Sequence, residues 1–151
     1  MTENDYRIEI LDSEDERIYD LEFLRHQVFH LKTARELIQT SYSIFHIKHH
    51  QTIPFALSIN SEMVAGCYVT CYNDTLFVDF LFVKEEYHNT GLRIGRLLLG
   101  YILNNKHIIE EIIHRQLNNS KLTPNSDKSE HIYQTLGYEY TDETAYMCKI
   151  L

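Results

Sequence analysis

One passage constrains this chain more than any other: Val83 to Ile102, VKEEYHNTGLRIGRLLLGYI. An apolar run from Leu76 to Val83 reads as a strand. It enters a short polar turn with glycines at 91 and 95, and a strongly apolar helix follows. Glycine lets a backbone approach a ligand closely. The first turn of a helix leaves N–H groups unpaired and carries partial positive charge. Strand, glycine turn and helix start together make an anion site, most often for phosphate. Arg93 and Arg96 add two cations there, although the formal net charge of the chain is −8. Local charge that opposes global charge points to a phosphate-bearing small molecule and not to a polyanion surface.

The rest of the chain reads as strands and helices in a mixed order. Tyr6 to Leu11 alternates as a strand, and Asp12-Ser13 can cap a helix from about Glu14 to His30. A second helix is expected over Thr33 to Tyr42. Phe45 to Thr52 fits no element, and Pro54 stops any helix. Phe55 to Ile59, Met63 to Tyr72 and Thr75 to Lys84 form an antiparallel meander through turns at Asn60-Ser61 and Asn73-Asp74. The last of these strands is taken as the longest and central one. A helix covers about Leu92 to Asn104. Lys106 to Leu117 is ambiguous, because its isoleucine pairs fit either period. Gln116 to Leu122 gives a short strand, poor by propensity. Asp127 to Leu136 is a helix stopped by Gly137. Tyr138 to Tyr140 and Ala145 to Ile150 close as a hairpin around Asp142-Glu143.

Val83 to Leu99 resembles motif A of the GNAT superfamily of acetyl-CoA-dependent N-acyltransferases, V-x-x-x-[YF]-[RQ]-x-x-G-x-[GA] followed by a Leu-Leu pair. Counted from Val83, Tyr87, His88, Gly91 and Arg93 occupy the motif positions. Counted back from Leu98-Leu99, Arg93-Ile94-Gly95 falls on G-x-G. The two registers differ by two residues, and both stand. Each puts Arg93 where a small residue is usual. Ser126 to Tyr138, SDKSEHIYQTLGY, is similar to motif B of the same family at Tyr133, Gly137 and Tyr138. Ser126 and Ser129 stand there for Asn and Ala.

The resemblance implies one N-acetyltransferase domain over residues 1–151. Its fold would be α/β, a mainly antiparallel twisted sheet flanked by helices, with central strands splayed for CoA. It implies acetyl-CoA as donor, with the pyrophosphate on Gly91, Leu92, Arg93, Ile94, Gly95 and Arg96 and with His88 nearby. Leu81, Phe82 and Val83 would border the thioester and offer a backbone N–H to its carbonyl. Tyr133 matches the tyrosine that protonates the departing thiolate. On an amphipathic helix it could equally be a core tyrosine. Acceptor specificity in this family lies in early helices and loops, here Phe23 to Pro54.

Acyl transfer to an amine also needs a proton acceptor. Asp79 is the one ionisable residue inside the central strand, between Val78 and Phe80. The plainer alternative is an outward Asp paired with a neighbouring side chain. No Cys or Ser stands beside a recognisable base, so direct transfer in a ternary complex is expected over a covalent intermediate. The rival reading is a non-catalytic CoA-binding or sensor module of the same fold.

Composition narrows the partners. Nine of the 22 acidic residues fall within the first 22 positions, which is not the pattern of a secretory or transit peptide. No apolar run approaches the ~18–20 residues that span a bilayer. Acidic balance argues against nucleic acid. Three cysteines without C-x-x-C fit a reducing cytoplasm, and Cys67 and Cys71 should share one strand face. His46, His49 and His50 read as a solvated polar face and not as a metal site, so no metal is expected. The acceptor is a small-molecule or peptide amine, and a homodimer is left open.

Overall fold

The computed structural model describes residues 6–30, 43–49, 51–88, 93–141 and 146–151. Seven strands form one sheet in the order β1-β2-β3-β4-β5-β7-β6. They are β1 (Tyr6–Ile10), β2 (Thr52–Ile59), β3 (Glu62–Tyr72), β4 (Thr75–Val83), β5 (Asn119–Leu122), β6 (Glu139–Tyr140) and β7 (Met147–Ile150). Only β4 and β5 run parallel; the other neighbours are antiparallel. The helices are α1 (Arg17–Phe29), α2 (Ile94–Asn104), α3 (Lys106–Ile113) and α4 (Asp127–Thr135). Residues 43–48 are also helical. The expected helix over Thr33–Tyr42, the turn at Asp142-Glu143 and His50 lie outside the described residues.

Several boundaries differ from the sequence reading for physical reasons. α1 starts later than Glu14 because Asp12 and Asp15 each turn the chain, accepting the N–H two residues on at 2.9 Å. β2 begins at Thr52 and runs through Pro54. The Pro54 carbonyl accepts from Leu11 N–H at 3.0 Å, just beyond the last β1 pair, so the missing proline N–H interrupts no ladder. β3, with 11 residues, is longer than β4 with 9, yet β4 is the middle strand of the seven. Lys106–Ile113 resolves as helix. β5 forms despite its NSKL sequence because β4 and β7 pair with it on both sides.

The β2–β3 turn places Asn60 and Ser61 both at positive φ, the geometry of a tight hairpin. On one face of the meander, α1 and Ile47 cover Ala56, Tyr68 and Phe82. On the other, α2 and α3 cover Phe55, Cys67, Val69 and Leu76, with Cys71 packed against the same cluster. A third cluster joins Leu99 of α2 to Leu122, Tyr133, Tyr138 and Met147. No described helix is long and apolar enough to cross a membrane.

Candidate functional site

The two edges of β4 have different fates. Toward β3 it is paired from end to end. Toward β5 it pairs only at Thr75↔Asn119, Leu76↔Ser120 and Phe77↔Lys121. From Val78 to Val83 that edge has no ladder partner among the described residues, so the sheet opens as a wedge in its middle. A cavity of about 690 Å³ occupies the wedge, walled by Leu81, Phe82 and Val83, the start of α2, α4, and Val28 and Phe29 of α1.

α2 begins at the mouth of this cavity. Its N-cap, Arg93, sits in the left-handed region at φ 50°, and its side chain caps no backbone N–H. No acid stands in the first turn. The positive end of the helix is therefore left open to the cavity, which Arg93, Ile94, Gly95 and Arg96 all line. Arg93 and Arg96 make no ion pair among the described residues. Unpaired arginines on so acidic a chain keep their charge available for a ligand.

Gly95 tests what that ligand is. A Cβ added there would meet Val83 Cγ2 at 3.7 Å and Leu81 Cδ2 at 3.8 Å, ordinary contact distances. Its backbone is helical. Neither packing nor conformation asks for glycine, and glycine in a helix costs about 0.5–1 kcal/mol relative to alanine. What glycine leaves is room on the cavity side, beside free N–H groups and two cations. That donor set fits a pyrophosphate.

Tyr133 is brought to the same cavity by α4. Ser126 Oγ accepts from the Ser129 N–H at 3.1 Å, and Ser129 Oγ accepts from the Ser126 N–H at 3.1 Å. The two serines that depart from motif B thus form a reciprocal cap that fixes the start of α4. Tyr133 is 8% exposed and packs with Leu99 and Leu122. Burial, then the nearby Cys67, push its phenol up to about 12. It therefore keeps its proton at neutral pH. His88 lines the cavity as well, and its Nε2–H donates to the Val83 carbonyl at 2.6 Å, tying the turn to β4. Gly91 and Leu92 lie outside the described residues.

Asp79 lies elsewhere than the cavity wall. The register pairs Tyr68 with Phe80 and Val69 with Val78, which leaves Asp79 as the extra residue of a β-bulge. It stands two residues past the last β4–β5 pair, at the apex of the wedge. The Thr70 hydroxyl donates to its Oδ2. Asp79 is open to solvent by surface area, yet protein atoms crowd it. That desolvation raises its carboxyl above the ordinary range, while the Thr70 hydrogen bond and the charge of His46 pull it down.

His46 is the residue that sequence reasoning discounted. Instead of lying on a solvated face it is half-buried, with its Nδ1–H donating to Gln51 Oε1. No spacing signal could have joined it to Asp79, which is remote in sequence. Val28, Phe29 and Lys128 also line the cavity without having been singled out. Among the described residues no three His, Cys, Asp or Glu side chains gather as a metal site.

Neither a protein-family model nor a curated protein matches the chain. Solved structures do. A PaiA N-acetyltransferase from Thermoplasma acidophilum, in complex with coenzyme A, matches over 96% of this chain and 99% of its own, at 16% identity and TM-score 0.64. A GNAT family acetyltransferase from Elizabethkingia anophelis with acetyl-CoA bound matches over 99% and 100%, at 16% identity and TM-score 0.62. The chain has the GNAT fold. A candidate acetyltransferase from Pyrococcus horikoshii gives a TM-score of 0.70 at 15% identity, over 93% of this chain. This chain spans only 46% of that longer one. Within the GNAT fold, the wedge, the α2 start and α4 surround one cavity, which holds every described residue expected at the donor site.

Proposed function

We propose that this chain is an N-acetyltransferase that moves an acetyl group from acetyl-CoA directly to a primary amine in a ternary complex. The observation that carries this reading is the open wedge walled by an uncapped helix start, Gly95 and two unpaired arginines. Arg93, Arg96 and the first-turn N–H groups of α2 would hold the pyrophosphate. The second register of motif A, with Gly95 as its last small residue, suits this placement. Bound acetyl-CoA supplies an electrophilic acyl carbon and a sulfur leaving group.

The residues of the chain manage the protons. Asp79 takes one proton from the acceptor ammonium, which frees the nitrogen lone pair for attack. The unpaired β4 edge between Leu81 and Val83 offers an N–H to the carbonyl oxygen. As the C–S bond breaks, its electron pair stays on sulfur and Tyr133 Oη gives up its proton there. The second proton on nitrogen leaves as the amide forms and restores the phenol. One proton ends on sulfur, and Asp79 returns the other to water. Val28 and Phe29, within the segment Phe23 to Pro54, face the acceptor end of the cavity. Three free thiols fit a cytoplasmic setting.

The test is calorimetry with acetyl-CoA, followed by thiol release across a panel of primary amines. Binding with amine-dependent release supports the reading. Binding with no release from any amine would leave a sensor module. Tyr133→Phe should lower kcat about 100-fold or more with donor affinity nearly unchanged.

A further inference from the structure

We propose that Thr70 is a positioning residue that orients Asp79 as the proton acceptor for the incoming amine. This rests on the acetyltransferase reading above. Asp79 arrives at the wedge apex through a bulge, in a strand whose neighbours Val78, Phe80 and Leu81 offer no polar partner. A bulge re-aims one side chain, but an isolated carboxylate would remain free to rotate and would be penalised by its crowded surroundings. The neighbouring strand β3 supplies what β4 lacks.

From β3, the Thr70 hydroxyl donates its only hydrogen to Asp79 Oδ2. Behind it, Thr52 Oγ1 of β2 lies 3.5 Å from Thr70 Oγ1, so a second hydroxyl can feed the first. From the helical stretch 43–48, His46 lies within electrostatic reach of Asp79. Its Nδ1–H is held by Gln51 Oε1, an acceptor-only atom, which fixes the ring. Ile47 beside it is buried between α1 and the sheet, which anchors the stretch. The arrangement leaves the second carboxylate oxygen of Asp79 for an ammonium.

The charge balance around Asp79 is simple. From β3, Thr70 bonds it, and the Cys67 and Cys71 thiols, like His46 from 43–48, are near enough to interact with its charge. Burial pushes both thiols up, Cys71 to about 11, so they are neutral at working pH. The Thr70 hydroxyl, which donates to Oδ2, favours the ionised carboxylate. Losing it must move the titration of Asp79 to higher pH. An amine acceptor site needs the carboxylate ionised, so the acidic limb of the rate must move the same way.

Thr70→Val and Thr70→Ser test this by two readouts. One is ¹³C-carboxyl NMR titration of Asp79, which needs no turnover. The other is the pH profile of kcat/KM with acetyl-CoA and a panel of primary alkylamines and peptide α-amines. Thr70→Val should raise the carboxyl titration. It should lower kcat/KM about threefold to tenfold at pH 6 while leaving it near the parent value at pH 9. Thr70→Ser should restore the parent titration and profile. A carboxyl titration identical in the parent and Thr70→Val overturns the proposal. A titration that moves while the rate limb stays fixed overturns it too, and leaves the acetyltransferase reading intact. No thiol release by the parent protein with any amine overturns the reading and the role together, while the titration still reports the contact.

Discussion

Gly66 and Gly95 lack a side chain for opposite reasons. At Gly66 a Cβ would come within 2.5 Å of Leu21 Cδ1 and Phe82 Cζ, so α1 could not sit on β3 as it does. Gly66→Ala should therefore cost about 1–3 kcal/mol, a fall in Tm of about 2–4 °C per kcal/mol by thermal denaturation. At Gly95 the protein leaves space for a methyl group, so Gly95→Ala should hold or raise Tm. It should weaken acetyl-CoA binding about tenfold in calorimetry, because the methyl group takes the ligand's place. Arg93→Gly separates strain from charge in the same way. It removes the left-handed penalty of about 1–2 kcal/mol but also a charged partner worth about 1.5–3 kcal/mol to a phosphate. Its Tm should hold or rise while its donor affinity falls.

α4 is aimed by its cap. Ser126→Ala removes one half of the reciprocal pair and should cost about 1 kcal/mol, read in a chemical unfolding curve. α1 is held by a buried pair as well as by packing. Arg25 is 2% exposed, donates to Glu22 at 2.9 Å and lies 4.7 Å above the Phe80 ring. Arg25→Met leaves Glu22 as a buried charge and should cost about 3 kcal/mol or more in the same assay. These elements also show what the sequence could say. The meander and the α2 and α4 starts were legible, because alternation, turn residues and glycine spacing are local properties of the chain. Asp79 stood out because one acid in an apolar strand is a local contradiction. Its bulge was hidden, since a bulge is defined only against a partner strand. His46 was misread because its half-burial and its hydrogen bond to Gln51 arise only in the folded chain, where no periodicity encodes them. Lys106–Ile113 and β5 were ambiguous because the surrounding sheet, and not propensity, decides them.

At the scale of the whole molecule, the site couples activity and stability to pH. On the proposed mechanism, transfer needs Asp79 ionised and Tyr133 protonated. The rate should fall as pH drops through the raised carboxyl of Asp79, and Tyr133 should set no alkaline limb until near its value of about 12. Burial also raises the Glu22 carboxyl, Arg25 and His26 notwithstanding. A folded-state value above the unfolded one means that the folded chain binds more protons in that window. The stability contributed by Asp79 and Glu22 is therefore full at low pH and is lost as pH rises through their folded values. Asp15, Glu62 and Asp74 are held down by Arg17, Lys84 and Asn118 and act the other way, but in solvent, where screening weakens them. Melting curves of the parent and Asp79→Asn between pH 4 and 8 should converge at the acidic end and part toward neutrality, with the variant the more stable. The wedge has a further consequence. A sheet parted in its middle leaves the alternate amides between Val78 and Val83 that point away from β3 without a strand partner, so the empty chain should exchange those quickly and the occupied one slowly. The guest then acts as a missing strand. At 100 times its Kd it adds about 2.7 kcal/mol to the folded state. Such a chain would persist when its acyl donor is plentiful and be cleared when the donor is scarce, so its abundance would report donor supply before any product is made.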